Sequence, residues 1–324
     1  MIYVLKNKKN SMLFISKAEK RVRLKVFRRN AEAVAAFESG RNDVLIRGDS
    51  LKFLPNLPDE SVDFIFSSPP YCIGKSYETT KSADSFVETH ASVIPQLIRL
   101  LKPGGSLCWQ VGYHVRRGVL VPLDFLVHAE VAKSGQMNLR NRVVWTFNHG
   151  LHASRRFSGR HETILWYSKG DSKNFALDSI RVPQLYPGKR HYKGPNKGEL
   201  SGNPLGKNPG DVWDVPNVKG KHVEKTIHPC QFPVALPQRF IRAICPKYGV
   251  VLDPFMGVGT TGVAAALEGK RFVGIEIDSD YASIASHRIA AARIGKLDVR
   301  PLDRPVTAPN KKLKVAQKPE HFRG

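Results

Sequence analysis

Cysteine is sparse: Cys72, Cys108, Cys230 and Cys245 are scattered through 324 residues, with no CxxC pair and no histidine at zinc-finger spacing. That argues against a disulfide framework and a structural zinc, and points to reduced thiols in a cytoplasmic protein. His149, His152 and His161 also lack metal-ligand spacing, so no metal is expected. No apolar run approaches the length that spans a bilayer. Residues 1–5 are apolar but give way at once to Lys6, so no signal-peptide apolar region forms. Acidic residues are scarce too, 28 Asp and Glu against 51 Lys and Arg, a formal charge of +23. An excess of that size favours a polyanionic partner and salt-sensitive association with nucleic acid.

What is present is an α/β rhythm. Residues 1–41 read as a basic N-terminal arm, in which the alternation from Arg21 to Phe27 could make a strand with a basic face. From Asp43 short apolar strands alternate with helical patterns. Asp63 to Ser67 is uninterrupted enough to be buried on both faces of a parallel sheet. Residues 84–101 have helical apolar spacing, with Pro95 inside and Lys102-Pro103-Gly104-Gly105 as the stop. Residues 42–169 and 226–297 form the α/β domain on this reading. Residues 170–225, rich in Gly, Pro, Asn and Lys, form a loop-rich insert in which Lys189, Arg190 and Lys193 interleave with His191 and Tyr192. Residues 298–324 are a basic, proline-rich tail.

Two stretches carry chemistry. The strand Phe64-Ile65-Phe66-Ser67 runs into Ser68-Pro69-Pro70-Tyr71, where two prolines remove backbone donors and leave the neighbouring carbonyls pointing away from any ladder. Far downstream, Asp253-Pro254-Phe255 precedes glycines at 257, 259 and 262, a G-x-G-x-x-G pattern between a strand and a helix, with Glu276 ending the next strand. Glycines let the backbone approach a nucleoside ligand, and a carboxylate one strand over can accept from both ribose hydroxyls. Alone, this fingerprint fits an NAD-dependent oxidoreductase. Asp253 beside the glycines opposes that reading, because it would repel a pyrophosphate yet could hold the ammonium of an amino acid.

Together, and in this order, the two stretches resemble the S-adenosylmethionine-dependent DNA methyltransferases that modify exocyclic amino groups, in the permuted arrangement called the beta group. Further matches are Arg47-Gly48-Asp49-Ser50, Lys102 to Gly105, the stretch from Trp145 to Lys169 with Arg155-Arg156-Phe157 and His161-Glu162, and His228-Pro229 through Phe240. The resemblance implies a Rossmann-like, doubly wound, mostly parallel seven-stranded sheet with one reversed strand. It implies S-adenosyl-L-methionine as cofactor, held by Asp49, Ser50, Ser67, Asp253, Pro254, Phe255, Gly257, Gly259, Thr260, Thr261, Glu276 and Ile277. The insert becomes a target-recognition region, and Arg155, Arg156, Lys189, Arg190 and Lys193 become DNA contacts. Double-stranded DNA is the partner, and a cognate restriction endonuclease is admitted by the class.

The chemistry suits Ser68-Pro69-Pro70-Tyr71 as the catalytic group. An exocyclic amino nitrogen has its lone pair delocalised into the ring. Hydrogen bonds from its N–H groups to Ser68 Oγ and the Pro69 carbonyl favour a tetrahedral nitrogen aimed at the methyl donor. The base must leave the stack to reach such a pocket, and the Tyr71 ring can stack on it. In this family Asp in the first position mostly accompanies adenine N6 and Ser more often cytosine N4, so Ser68 favours cytosine. The alternatives are an adenine-N6 enzyme, an NAD-dependent oxidoreductase and a non-catalytic DNA-binding module.

Overall fold

The computed structural model describes residues 3–6, 12–15, 23–71, 83–116, 118–147, 150, 152–172 and 174–304. Cys72, His149, most of the arm before residue 23 and the tail beyond residue 304 lie outside these residues. In chain order the elements begin with a separate hairpin of β1 (Tyr3–Lys6) and β2 (Met12–Ile15). Then follow β3 (Val26–Phe27), α1 (Asn30–Glu38), β4 (Asp43–Arg47), α2 (Ser50–Phe53), β5 (Val62–Ser67), α3 (Ala83–Leu100) and β6 (Leu101–Val111). A second hairpin, β7 (Tyr113–Arg116) and β8 (Val119–Pro122), precedes α4 (Leu123–Ala132), β9 (Met137–Thr146), β10 (His161–Lys169) and β11 (Val212–Asp214). The chain continues through α5 (Ala235–Ile244), β12 (Val250–Asp253), α6 (Thr260–Leu267), β13 (Arg271–Glu276) and α7 (Ser279–Arg293).

One sheet organises these elements, in the order β11-β9-β10-β6-β5-β12-β13-β4-β3. Only β10 is reversed, pairing antiparallel with both β6 and β9, whereas every other neighbouring pair is parallel. The seven strands from β9 to β4 are the mostly parallel sheet of the expectation, and the two- and three-residue strands β3 and β11 extend it at the edges. The central strands read as apolar runs because both faces are covered. Phe64, Phe66, Val251 and Phe272 join α5, α6 and α7 in one core, and Ile65, Leu252, Val273 and Ile275 join α1, α3 and α4 in the other.

Two expected boundaries shift. Residues 26–38, grouped by composition with the basic arm, belong to the α/β unit: β3 pairs with β4, and Phe27, Ala33 and Phe37 are buried. Burial, not local charge, decides their place. The insert also returns to the domain before residue 225, since Trp213, Val215 and Val218 are buried and β11 pairs with β9. The first residues of the tail dock as well, with Arg300 N donating to Glu224 Oε1 (3.1 Å) and Leu297, Val299 and Leu302 packed on the core. Among the described residues no helix is long and apolar enough to cross a membrane.

A polar chain crosses the core beneath the sheet. His90 in α3 is fully buried; its Nδ1 bonds the Phe86 carbonyl (2.7 Å), and its Nε2 accepts from Trp109 Nε1 (3.0 Å). An indole can only donate, so Nε2 must be unprotonated and the ring neutral. Burial pushes the imidazole down from 6.5 to about 4. Because the folded value lies below the unfolded one, the stability is present above about pH 6.5 and drains away as pH falls towards 4. His90→Gln, whose amide oxygen can still accept from the indole, should not show this loss. In denaturant titrations the wild type is expected to lose about 3 kcal/mol relative to that variant between pH 6.5 and pH 4. A constant difference across the window would refute a neutral buried His90.

Candidate active site

Every functional segment sits at the same edge of the sheet. Ser68–Tyr71 follow β5, Pro254 and Phe255 follow β12, Ile277 and Asp278 follow β13, and Gly48–Ser50 follow β4. These are the carboxyl ends of adjacent parallel strands, where open α/β sheets bind ligands. Gln110 and Trp145 reach the same edge near the ends of β6 and β9. Glu162 reaches it from the start of β10, because that strand runs backwards. The result is a cavity of about 550 Å³ whose wall carries Asp49, Ser50, Ser68–Tyr71, Pro254, Phe255, Gly257, Glu276 and Ile277. The two sequence motifs, separated by some 180 residues, face each other across it.

The glycines of the G-x-G-x-x-G pattern divide their work. Gly257, at φ +53°, faces the cavity, and a Cβ there would meet nothing nearer than His228 Nε2 at 3.6 Å. Gly259 (φ +79°) starts α6 and would press a Cβ to 2.8 Å from that of Ala285, while a Cβ on Gly262 would collide with Phe272 and Ile289. Those two glycines serve helix packing. Thr260 and Thr261 are buried behind the loop, Thr261 Oγ1 lying 3.4 Å from the Phe66 carbonyl. Arg288 of α7 holds the loop from behind, donating to the Val258 carbonyl (2.6 Å). Gly259, Thr260 and Thr261 were expected to touch cofactor; they shape the loop and do not line the cavity.

Asp253 and Ser67 also stand behind the wall. Ser67 Oγ donates to Asp253 Oδ1 (2.6 Å), which accepts from Phe255 N as well (3.1 Å). Asp253 is 1% exposed and absent from the lining, so the direct grip on an ammonium that its sequence position implies is not available from the wall. Burial pushes its carboxyl up to about 6, against the Ser67 and Thr261 hydroxyls and the Phe255 N–H, which pull it down. Glu276 does line the cavity. Its Oε2 accepts from Gly257 N and its Oε1 from Asp278 N, both at 2.8 Å. Burial nevertheless raises its carboxyl to about 7.

On the opposite wall the Tyr71 hydroxyl is tied down. Gln110 Nε2 donates to it (3.1 Å) and to Glu162 Oε2, and the phenol itself donates to Glu162 Oε2 (3.4 Å). Burial and the Glu162 charge raise the phenol well above its ordinary range, so it stays protonated. His228 accepts from Cys230 N at Nδ1 (3.2 Å) and stands edge-on to Tyr281, 4.7 Å between ring centres. Gln110, Asn217, Lys219 and Tyr281 were given no role by the sequence. Gln110 left one trace, a polar residue inside the apolar run of β6 that proves to be 1% exposed. Asn217 and Lys219 lie in the irregular insert, which offers no periodicity to place them.

The expected DNA contacts are exposed, and none lines the cavity. Arg155 and Arg156 lie on the loop between β9 and β10. Lys189, Arg190 and Lys193 lie on the insert, where Arg190 pairs across a bridge with Leu200. Cys108 and Cys245 are buried free thiols, and Cys230 lines the cavity.

A glycine-loop cavity at the carboxyl edge of such a sheet, with Ser-Pro-Pro-Tyr ahead of the loop in the chain, defines an amino-methyltransferase of the beta group. The chain belongs to the DNA methylase family, whose model matches residues 62–287. It is 44% identical to the type II methyltransferase M.BglII of Bacillus subtilis over 252 residues, 78% of this chain and 70% of that protein. It is 33% identical to the DNA adenine methyltransferase YhdJ of Escherichia coli K12 over 254 residues, 76% of this chain and 83% of that protein. Among solved structures, a DNA modification methylase of Thermus thermophilus, TTHA0409, complexed with S-adenosyl-L-methionine, superposes with a TM-score of 0.53 at 27% identity, covering 77% of this chain and 95% of that one.

The buried Asp253 has a measurable cost. Its folded value of about 6 lies above the ordinary 3.8, so folding takes up a proton and stability declines as pH rises through that window. Asp253→Asn keeps an acceptor for Ser67 and Phe255 without the charge. It is expected to gain about 3 kcal/mol over the wild type between pH 4 and pH 7 in denaturant titrations. A difference independent of pH would contradict the raised carboxyl.

Proposed function

We propose that this chain transfers a methyl group from S-adenosyl-L-methionine to the exocyclic N4 of cytosine in double-stranded DNA, acting on a base swung out of the duplex. The observation that carries the reading is that Ser68-Pro69-Pro70-Tyr71 and the Gly257 loop with Glu276 line one cavity. The charge of the wall supports this cofactor over a dinucleotide. Asp49, Glu162, Glu276 and Asp278 outnumber Lys219 there, in a protein of formal charge +23. An acidic cavity repels a pyrophosphate and suits a ligand bearing a sulfonium and an ammonium.

The residues fit the cofactor piece by piece. Glu276, anchored by two backbone N–H groups, keeps lone pairs for the ribose hydroxyls. Phe255, Ile277 and Tyr281 supply apolar surface for the adenine, and Gly257 lets the backbone come close. The cofactor, when bound, supplies an electrophilic methyl group. Ser68 Oγ and the Pro69 carbonyl accept from the amino N–H groups of the target, and the proton shed by the methylated nitrogen leaves by way of the Ser68 hydroxyl to water. Tyr71, fixed through its hydroxyl by Gln110 and Glu162, holds its ring still beneath the base.

Serine in the first position of the tetrapeptide supports cytosine. Adenine N6 is the second reading, favoured by the 33% identity to an enzyme named as a DNA adenine methyltransferase. The exposed Arg155, Arg156, Lys189, Arg190 and Lys193 would meet the phosphates, and the type II designation of M.BglII supports a partner endonuclease.

Mass spectrometry of nucleosides from DNA incubated with the protein and S-adenosylmethionine should show N4-methylcytosine. N6-methyladenine would overturn the base and keep the class. Ser68→Ala is expected to lower kcat by about 10²- to 10³-fold with S-adenosylhomocysteine affinity unchanged. Ribose hydroxyls donate to ionised Glu276, so affinity for S-adenosylhomocysteine should rise as pH passes through about 7 and level off above. Calorimetric titration of Glu276→Gln should find weaker binding without that rise.

A further inference from the structure

The loop between β9 and β10 presents a side chain that nothing in the folded chain covers. Phe157 is 100% exposed, flanked by the exposed Arg155 and Arg156. We propose that Phe157 is a wedge that enters the base stack of duplex DNA and fills the gap left by the extruded base. The proposal rests on the methyl-transfer reading above and adds to it the residue that keeps the duplex open.

The loop is braced to hold that ring outward. Ala153 N donates to Ser158 Oγ (3.0 Å), closing a turn with Phe157 near its tip. Gly159 packs so tightly on Tyr113 that a Cβ there would collide with the phenol, and the Arg156 guanidinium lies 5.9 Å from the centre of the same ring. At the base of the loop Phe147 N donates to the Arg160 carbonyl (3.0 Å). Position decides the assignment. Trp145 and Phe147 on one side of the hairpin and Glu162 on the other line the catalytic cavity. Tyr192, 90% exposed among the cations of the insert, has no such connection to the cavity wall.

The chemistry fits a wedge better than a base reader. Phenylalanine has no donor or acceptor and carries no sequence information, but its faces can replace those of a lost neighbour in the stack. The flanking guanidiniums suit the phosphates on either side of the gap.

The test compares two substrates bearing the modified context, once long-read sequencing of DNA from an expressing host has defined it. One is a fully paired duplex; the other carries an abasic site opposite the target, so that the base is already unpaired. Phe157→Ala should slow methylation of the paired duplex about tenfold or more, the loss of one base–aromatic stack. It should leave the abasic substrate within about twofold of wild type, since little opening remains to be supported. Phe157→Trp should retain activity on both, and unchanged S-adenosylhomocysteine affinity would report an intact fold. Equal slowing on both substrates, or no slowing on either, overturns the wedge while leaving methyl transfer intact. If the wild type methylates neither host DNA nor any duplex, it is the methyl-transfer reading that fails.

Discussion

The hydrogen bond from Ser67 Oγ to Asp253 Oδ1 joins the ends of two neighbouring parallel strands at the point where each turns out of the sheet. Everything beyond it is loop: the Pro-Pro turn on one side, the glycine turn on the other. Both partners are fully enclosed, and the same carboxylate caps Phe255 N, so the pitch of one loop is set by an atom that also grips the other. The penalty of a buried, partly neutralised carboxyl is accepted at the seam between two half-sites. Such strain is what a functional edge shows when local stability is traded for position.

Charge is segregated on two scales. The whole chain is strongly basic, yet the cavity gathers carboxylates from β4, β10 and β13. A long-range field that attracts a polyanion and a short-range field that repels phosphate from the pocket are compatible because the Debye length, about 8 Å at physiological salt, separates them. DNA phosphates can gather on the outside while a cation occupies the inside.

Much of this was legible before any coordinates. The apolar runs of β5 and β12 announced a sheet covered on both faces, and the two motifs announced which loops would meet. The sequence could not show that Gly259, Gly262, Thr260 and Thr261 serve packing, because a glycine that admits a ligand and one that admits a helix read alike. Asp253 misled for a related reason. A carboxylate next to a glycine loop points into or behind the cavity according to the turn at Pro254, which sequence spacing does not encode. Gln110 was recoverable in principle, being a lone amide in an apolar strand. Asn217 and Lys219 were not, since irregular backbone carries no period. Residues 26–38 were misplaced because their local charge masked two phenylalanines and an alanine that the core needs.

The single reversed strand has a mechanical consequence. Because β9 and β10 are antiparallel neighbours, the loop between them springs from two strands paired from His161 and Thr146 to Lys169 and Met137. A force on its tip is therefore taken up as shear along a ladder inside the sheet, not as the swing of a hinged lid. The loop behaves as a cantilever rooted in the same strands that carry Trp145 and Glu162 to the cavity. Leverage applied to a bound polymer and the shape of the pocket are thus set by one stiff piece.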